Sequence, residues 1–156
     1  MLKKLFILII LLFILTGCSQ EEPSFTVNID GKSEVIDTEI IYTHEEALVF
    51  PAVVRSSGSK PVETEYKGIE LKELFKSLDL DITNYSKATL TASDGYRIIL
   101  NIEEILEPSN VYLTFERDGE ELKSKKQGGN GPFQLIIRRD PFSQRWIKHV
   151  DEIILE

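Results

Sequence analysis

Four cations, Arg138, Arg139, Arg145 and Lys148, surround the chain's one tryptophan, Trp146, in the stretch LIIRRDPFSQRWIKHV from Leu135 to Val150. Arginine offers a planar fork of N–H donors to phosphate or carboxylate oxygens, and lysine a mobile point charge. Such a cluster suits recognition of an anion. The chain around it is acidic, with 26 Asp and Glu against 18 Lys and Arg and a net charge of −8. Two readings follow. In one the cluster takes an external anion; in the other Arg145 and Lys148 pair with the protein's own carboxylates, and Arg138 and Arg139 lie on opposite faces of a strand end. Trp146 either walls a cleft or belongs to the core, the commoner fate of a single tryptophan. The acidic balance excludes a nucleic-acid partner and a polybasic membrane patch.

Other chemistries find less support. Ser57-Gly58-Ser59-Lys60 has the S-x-x-K spacing that sets a serine one helical turn from a lysine base. Gly58 and Pro61 oppose the helix this needs, so a surface turn is expected. The glycine-rich loop at residues 128–131 is followed by neither GK[ST] nor a helix, and it reads as a plain loop rather than a phosphate cradle. His44 and His149 are the only histidines and lie far apart, so no transition-metal site is expected. Sequence-adjacent carboxylates such as Glu103 with Glu104 and Glu120 with Glu121 point apart, and they read as solvated surface.

The N-terminus reads MLKKLFILIILLFILTGC, a lysine pair, an apolar run from Leu5 to Leu15 and the only cysteine, Cys18. This is the pattern of an export signal, and the run is too short to span a bilayer comfortably. LTGC resembles the lipobox of bacterial lipoproteins, which implies cleavage before Cys18 and a diacylglyceryl group on its sulfur. Two acyl chains give stable anchoring. With Cys18 lipidated, the rest of the chain has no disulfide, thiolate ligand or cysteine nucleophile.

The elements that must position the basic cluster follow from periodicity and turns. Residues 1–17 are a lipoprotein signal peptide, 18–24 the lipidated cysteine and a polar tether, and 25–156 one domain of ordinary size. FTVNI and KSEVI form a hairpin around Asp30-Gly31, and EIIY (39–42) continues as strand. Thr43 and Glu46 suggest a capping box opening a helix, HEEALVF, stopped by Pro51. AVVRSSG and PVETEYK are strands around a Gly-Ser turn, and GIELKELFKSLDL is a helix with Ile69, Leu71, Leu74, Phe75 and Leu78 on one face. KATLTASDGYRIILN and NVYLTFERDGEEL are hairpins turning at Asp94-Gly95 and Asp118-Gly119, with a short helix, IEEILEP, between them. A loop, KSKKQGGNGP, leads to the strand FQLIIRR; DPFSQ turns, RWIKHV links, and DEIILE closes as strand. Strands outnumber helices, which predicts an α+β fold of mainly antiparallel sheet with a few short helices.

YKGIELKELF, ATLTASDGYRIIL, GPFQLIIRRDPFSQRWIKHV and DEIIL occur in an order that resembles the molybdopterin-binding domain of the sulfite oxidase family, across roughly Phe25 to Glu156. The most specific element is R-x-[VI]-K, here Arg145-Trp146-Ile147-Lys148. The resemblance implies a sulfite-oxidase-type fold, with Arg145 and Lys148 holding pterin and phosphate and Asp94, Gly95 and Tyr96 lining the cofactor cleft. It also implies a molybdenum-ligating cysteine before the glycine that opens the G-x-x-L-K helix. Counting back from Gly68 lands near Ser56, where there is no cysteine, and a serine hydroxyl poorly replaces a thiolate. Catalytic members are longer, and their exported forms use a twin-arginine signal where this chain has Lys3-Lys4.

These observations imply a lipid-anchored, extracytoplasmic cell-envelope protein with a molybdopterin-binding-like domain. Its expected role is a non-catalytic binding or accessory module without cofactor, whose partner is an envelope protein or a small anionic ligand. The alternative is a molybdopterin-dependent, sulfite-oxidase-like oxidoreductase or a subunit of one. A purely structural or adhesive role is a third class.

Overall fold

The computed structural model describes Pro23 and residues 25–156; Cys18, the leader and the rest of the tether lie outside the described residues. FTVNI and KSEVI form strands β1 (Phe25–Ile29) and β2 (Lys32–Ile36), paired antiparallel. Asp30 and Gly31 between them have φ of 51° and 78°, the doubly positive geometry of a type I′ turn.

The expected strand at residues 39–42 is instead a helix, α1 (Thr38–Tyr42). Asp37 caps it by accepting the Glu39 N–H at 2.9 Å, which outweighs the β-branched Ile40-Ile41 pair. Thr43 ends this helix rather than opening another. Its hydroxyl donates to the Glu39 carbonyl at 2.8 Å, and the Glu46 N–H donates to the His44 ring Nδ1 at 3.1 Å. The expected helix HEEALVF therefore does not form, and its last residues begin β3 (Leu48–Val54). Pro51 sits in this edge strand, which among the described residues pairs only with β4. Its register partner Glu65 turns both backbone groups to Asp118, so the missing proline N–H costs no ladder bond.

β4 (Val62–Glu70) runs on through Gly68-Ile69-Glu70, residues expected to start a helix, and α2 (Leu71–Ser77) begins only afterwards. Gly68 is the cause. A Cβ there would fall 2.3 Å from the Leu113 carbonyl oxygen and 2.7 Å from Thr114 Cα, so only a bare backbone lets β4 lie this close to β7 (Val111–Arg117). The ladder between them slips register at Lys67/Gly68. Leu71, Leu74 and Phe75 of α2 are buried, as their spacing predicts.

The remaining elements are β5 (Lys87–Ala92), β6 (Arg97–Asn101), α3 (Ile102–Leu106), β8 (Glu120–Glu121), β9 (Gln134–Ile137) and β10 (Val150–Leu155). One sheet has the order β2-β1-β10-β5-β6. The other runs β3-β4-β7, and β9 and β8 share the far edge of β7, pairing with Val111–Thr114 and with Glu116 and Arg117. These pairings are antiparallel except β1 with β10, which is parallel. One core cluster draws on both sheets, including Val27, Leu90 and Ile153 from the first and Phe50, Tyr66, Leu113 and Leu135 from the second. The architecture is α+β, mostly antiparallel strands with short helices. Among the described residues no helix is long and apolar enough to cross a membrane.

Substituting Gly68→Ala should destabilise the protein by roughly 2 kcal/mol or more, because the new methyl meets backbone that cannot rotate away. A urea unfolding series would show a lower midpoint; an unchanged midpoint would mean that β4 and β7 do not approach this closely.

Candidate functional site

The basic cluster is divided among three environments. Trp146 belongs to the core at 7% exposure; its Nε1–H donates to the Ile137 carbonyl at 2.9 Å and its ring meets Tyr66 edge-on at 6.2 Å. Arg145 turns the other way, towards α3 and the turn before it. Its Nε–H donates to Asp140 Oδ2 at 2.9 Å, and its Nη2 donates to Asp140 Oδ1 and, at 2.8 Å, to Glu104 Oε1. Two carboxylates thus close the fork. Bonds to Asp140 and then Glu104 hold the guanidinium pKa above its ordinary value. Burial works against the Glu104 charge, but hydrogen bonds from Arg145 and the Asn101 N–H hold its carboxyl below the usual range.

Arg139 pairs with Glu107 Oε2 at 2.9 Å and donates to the Pro108 carbonyl at 3.2 Å. Arg138 lies with its guanidinium carbon 5.6 Å from the Phe50 ring centroid and reaches the Ser109 carbonyl at 3.5 Å. For Arg139 and Arg145 the anions are therefore the protein's own. Glu104, expected as solvated surface, is one of them. No local pattern announces a pair separated by 41 residues.

Lys148 is exposed and lies beside the β5–β6 turn. Together with Asp94, Tyr96, Trp146, Ile147 and His149 it lines a cavity of about 200 Å³. The structure therefore gathers three of the residues expected at the cofactor cleft, Asp94, Tyr96 and Lys148. It does not bring Arg145 to them, and Gly95 lines a separate hollow on the sheet face. Asp94 Oδ1 accepts the Tyr96 N–H at 3.1 Å; that bond first, then the charge of Lys125, outweigh burial and hold its carboxyl below the ordinary range.

His149 is the residue that sequence reasoning missed here. It has φ of 56°, its N–H donates to the Asn130 carbonyl at 2.9 Å, and its carbonyl accepts the Ser93 N–H at 3.0 Å. Its ring Nδ1 lies 2.8 Å from the Gly131 carbonyl, which requires a proton on Nδ1 and leaves Nε2 as the acceptor of the neutral ring.

The two motifs set aside from the sequence are structural. Gly129 and Gly131 press against the backbone of Lys123 and Leu122, where a Cβ would fall 2.1 and 2.2 Å from their carbonyl oxygens. These two glycines serve packing, whereas Gly128 has open space around it and supplies a positive φ of 77°. Residues 56–59 form an exposed turn closed by the Ser59 N–H to the Ser56 carbonyl at 3.2 Å. Among the described residues no three His, Cys, Asp or Glu side chains converge as metal ligands.

Molybdopterin does not fit what is present. The Arg55 N–H donates to Ser143 Oγ at 2.9 Å and the Ser143 N–H returns to the Arg55 carbonyl at 3.1 Å. The stretch around Ser56 therefore does approach the Arg145 turn, but it brings exposed Arg55, Ser56 and Ser57 and no thiolate. The arginine fork is occupied, and the cavity beside Lys148 is smaller than the ~300–1,000 Å³ that enclose an organic ligand of that size.

No family model matches the chain, and no curated protein matches it in sequence. Among solved structures, the sulfane dehydrogenase SoxCD from Paracoccus pantotrophus is similar over 89% of this chain, with a TM-score of 0.68 and 16% identity. That likeness concerns the fold and supports the sulfite-oxidase-type expectation. The chain spans 39% of the length of that neighbour.

Replacing Arg145 by Ala should cost about 1–2 kcal/mol, a value discounted from fully buried pairs because Arg145 and Glu104 are partly solvated. Glu104 titrates below its unfolded value, so its contribution is present above pH about 4.3 and is lost as pH falls through the lower folded pKa. Urea midpoints from neutral pH down to pH about 2 should therefore fall less steeply in the variant. Parallel acid profiles would contradict the pairing.

Proposed function

We propose that this protein is a lipid-anchored, extracytoplasmic cell-envelope protein whose sulfite-oxidase-type domain serves as a cofactor-free binding or accessory module. The observation that carries the reading is the closure of the Arg145 fork by Asp140 and Glu104. An arginine held by two carboxylates presents no free bidentate face to a cofactor phosphate. The small cavity beside Lys148 and the serines where the family resemblance places a thiolate support the same conclusion. Cys18 in LTGC supplies the anchor, and the partner is an envelope protein or a small anionic ligand near Lys148.

The fold likeness to a sulfane dehydrogenase favours a second reading, an oxidoreductase or one of its subunits that uses molybdopterin. The two differ in composition. The protein extracted from its host membranes should contain neither molybdenum by elemental analysis nor pterin by fluorescence after oxidation. Near-stoichiometric molybdenum would overturn the cofactor-free reading.

The anchor is tested separately. Cys18→Ser should abolish incorporation of labelled fatty acid and move the protein from the membrane to the soluble fraction. Undiminished labelling would rule out Cys18 as the lipidated residue.

A further inference from the structure

A second hollow, of about 360 Å³, opens on the face of the β2-β1-β10-β5-β6 sheet and adjoins the same turn through Gly95. One irregularity shapes it. The β10–β5 ladder pairs Val150 with Ala92 and then Glu152 with Thr91, leaving Asp151 as an extra residue in β10. Unbroken alternation would turn Asp151 into the core with Ile153 and Leu155. With the bulge, Asp151 and Glu152 both stay partly exposed and both line the hollow. Neither has an ion-pair partner among the described residues, and Arg97, in register with Thr91 on β6, pairs with neither.

Thr91, opposite Glu152, is an independent observation. It lines the hollow, is 9% exposed, and its Oγ1 is shut off from bulk water with no hydrogen-bond partner among the described residues. A buried hydroxyl without a partner is costly, and it asks for a missing ligand.

We propose that Thr91, Asp151 and Glu152 form a site for a hard divalent cation of the calcium type. Two carboxylates and a hydroxyl supply oxygen donors from both strands of the bulge, and Thr26 and Ser93 border a hollow with room for bound water. An all-oxygen set excludes the soft transition ions. Calcium accepts six to eight oxygens in flexible geometry, whereas magnesium demands a near-ideal octahedron and gives up water reluctantly. With two carboxylates, the affinity belongs among weak extracellular sites, with Kd about 10⁻⁴–10⁻³ M. Bound there, the ion bridges β10 to β5 and neutralises the repulsion between Asp151 and Glu152.

The test uses the full chain in non-ionic detergent, titrated with calcium chloride at constant ionic strength by calorimetry and amide NMR. One saturable ion is expected, with shifts at residues 91–95 and 150–153 and a raised thermal midpoint. Thr91→Val keeps the side chain's shape, so it should weaken binding several-fold while leaving the calcium-free midpoint unchanged or higher. Asp151→Asn with Glu152→Gln should abolish it. Absence of saturation, unchanged affinity in Thr91→Val, shifts elsewhere, or equal binding of magnesium would each overturn the proposal.

Discussion

A short irregular segment ties the two sheets of this protein together. The Ile147 carbonyl accepts the Leu135 N–H at 2.8 Å, the Val150 N–H donates to the Phe133 carbonyl at 3.0 Å, and His149 bonds through both backbone groups to Asn130 and Ser93. β9 belongs to one sheet, and β10 and β5 to the other. Residues 147–150 therefore continue hydrogen bonding across a junction that would otherwise leave backbone groups unsatisfied. The junction dictates side-chain fates. Ile147 and Trp146 fall into the core, and His149 takes a positive φ that few residues other than glycine tolerate. Its ring bond to Gly131 in turn holds the glycine-rich loop.

Once that segment is fixed, Arg145 at its entrance can only face α3 and Asp140. In an acidic chain the nearest anions are internal, and the arginine at the start of the R-W-I-K element latches the nearby turn at Asp140 to the first turn of α3, 41 residues away in sequence. Arg139 repeats the arrangement with Glu107. Folding thereby converts a basic motif into structural cross-links. The resemblance to a cofactor-binding element describes the residue types, whereas the use of those residues depends on which carboxylates the fold brings near.

Local signals were legible and distant ones were not. Hairpins at Asp30-Gly31, Asp94-Gly95 and Asp118-Gly119 and the buried face of α2 follow from turn chemistry and periodicity, and the core position of Trp146 from the usual burial of a lone tryptophan. Residues 39–50 misled because a short apolar run between polar residues fits strand or helix, and the deciding cap was Asp37 rather than Thr43. Gly68 read as a helix start because its real constraint, the approach of β7, lies more than forty residues away. The parallel pairing of β1 with β10, the Glu104–Arg145 bond and the extra residue in β10 share that non-local origin. DEIILE in particular shows no internal sign of a bulge.

The same distinction decides the polarity of the surface around the 93–96 turn. The family resemblance implied that this turn lines a cofactor cleft held by Arg145 and Lys148. In the fold, Arg145 is withdrawn, Arg138 and Arg139 serve the end of β9, and Lys148 remains beside Asp94. Asp94 keeps its charge because a backbone N–H and Lys125 favour the ionised form. An external anion approaching Lys148 must therefore approach a carboxylate as well, which weakens its attraction at the short range where selectivity is set. Beyond Gly95 the balance is more acidic still, with Asp151 and Glu152 unpaired among the described residues. The surface beyond Gly95 thus favours a cation, whereas Lys148 on the other side of the turn offers an anion a single positive partner, a weaker hold than the R-x-[VI]-K element suggests when read alone.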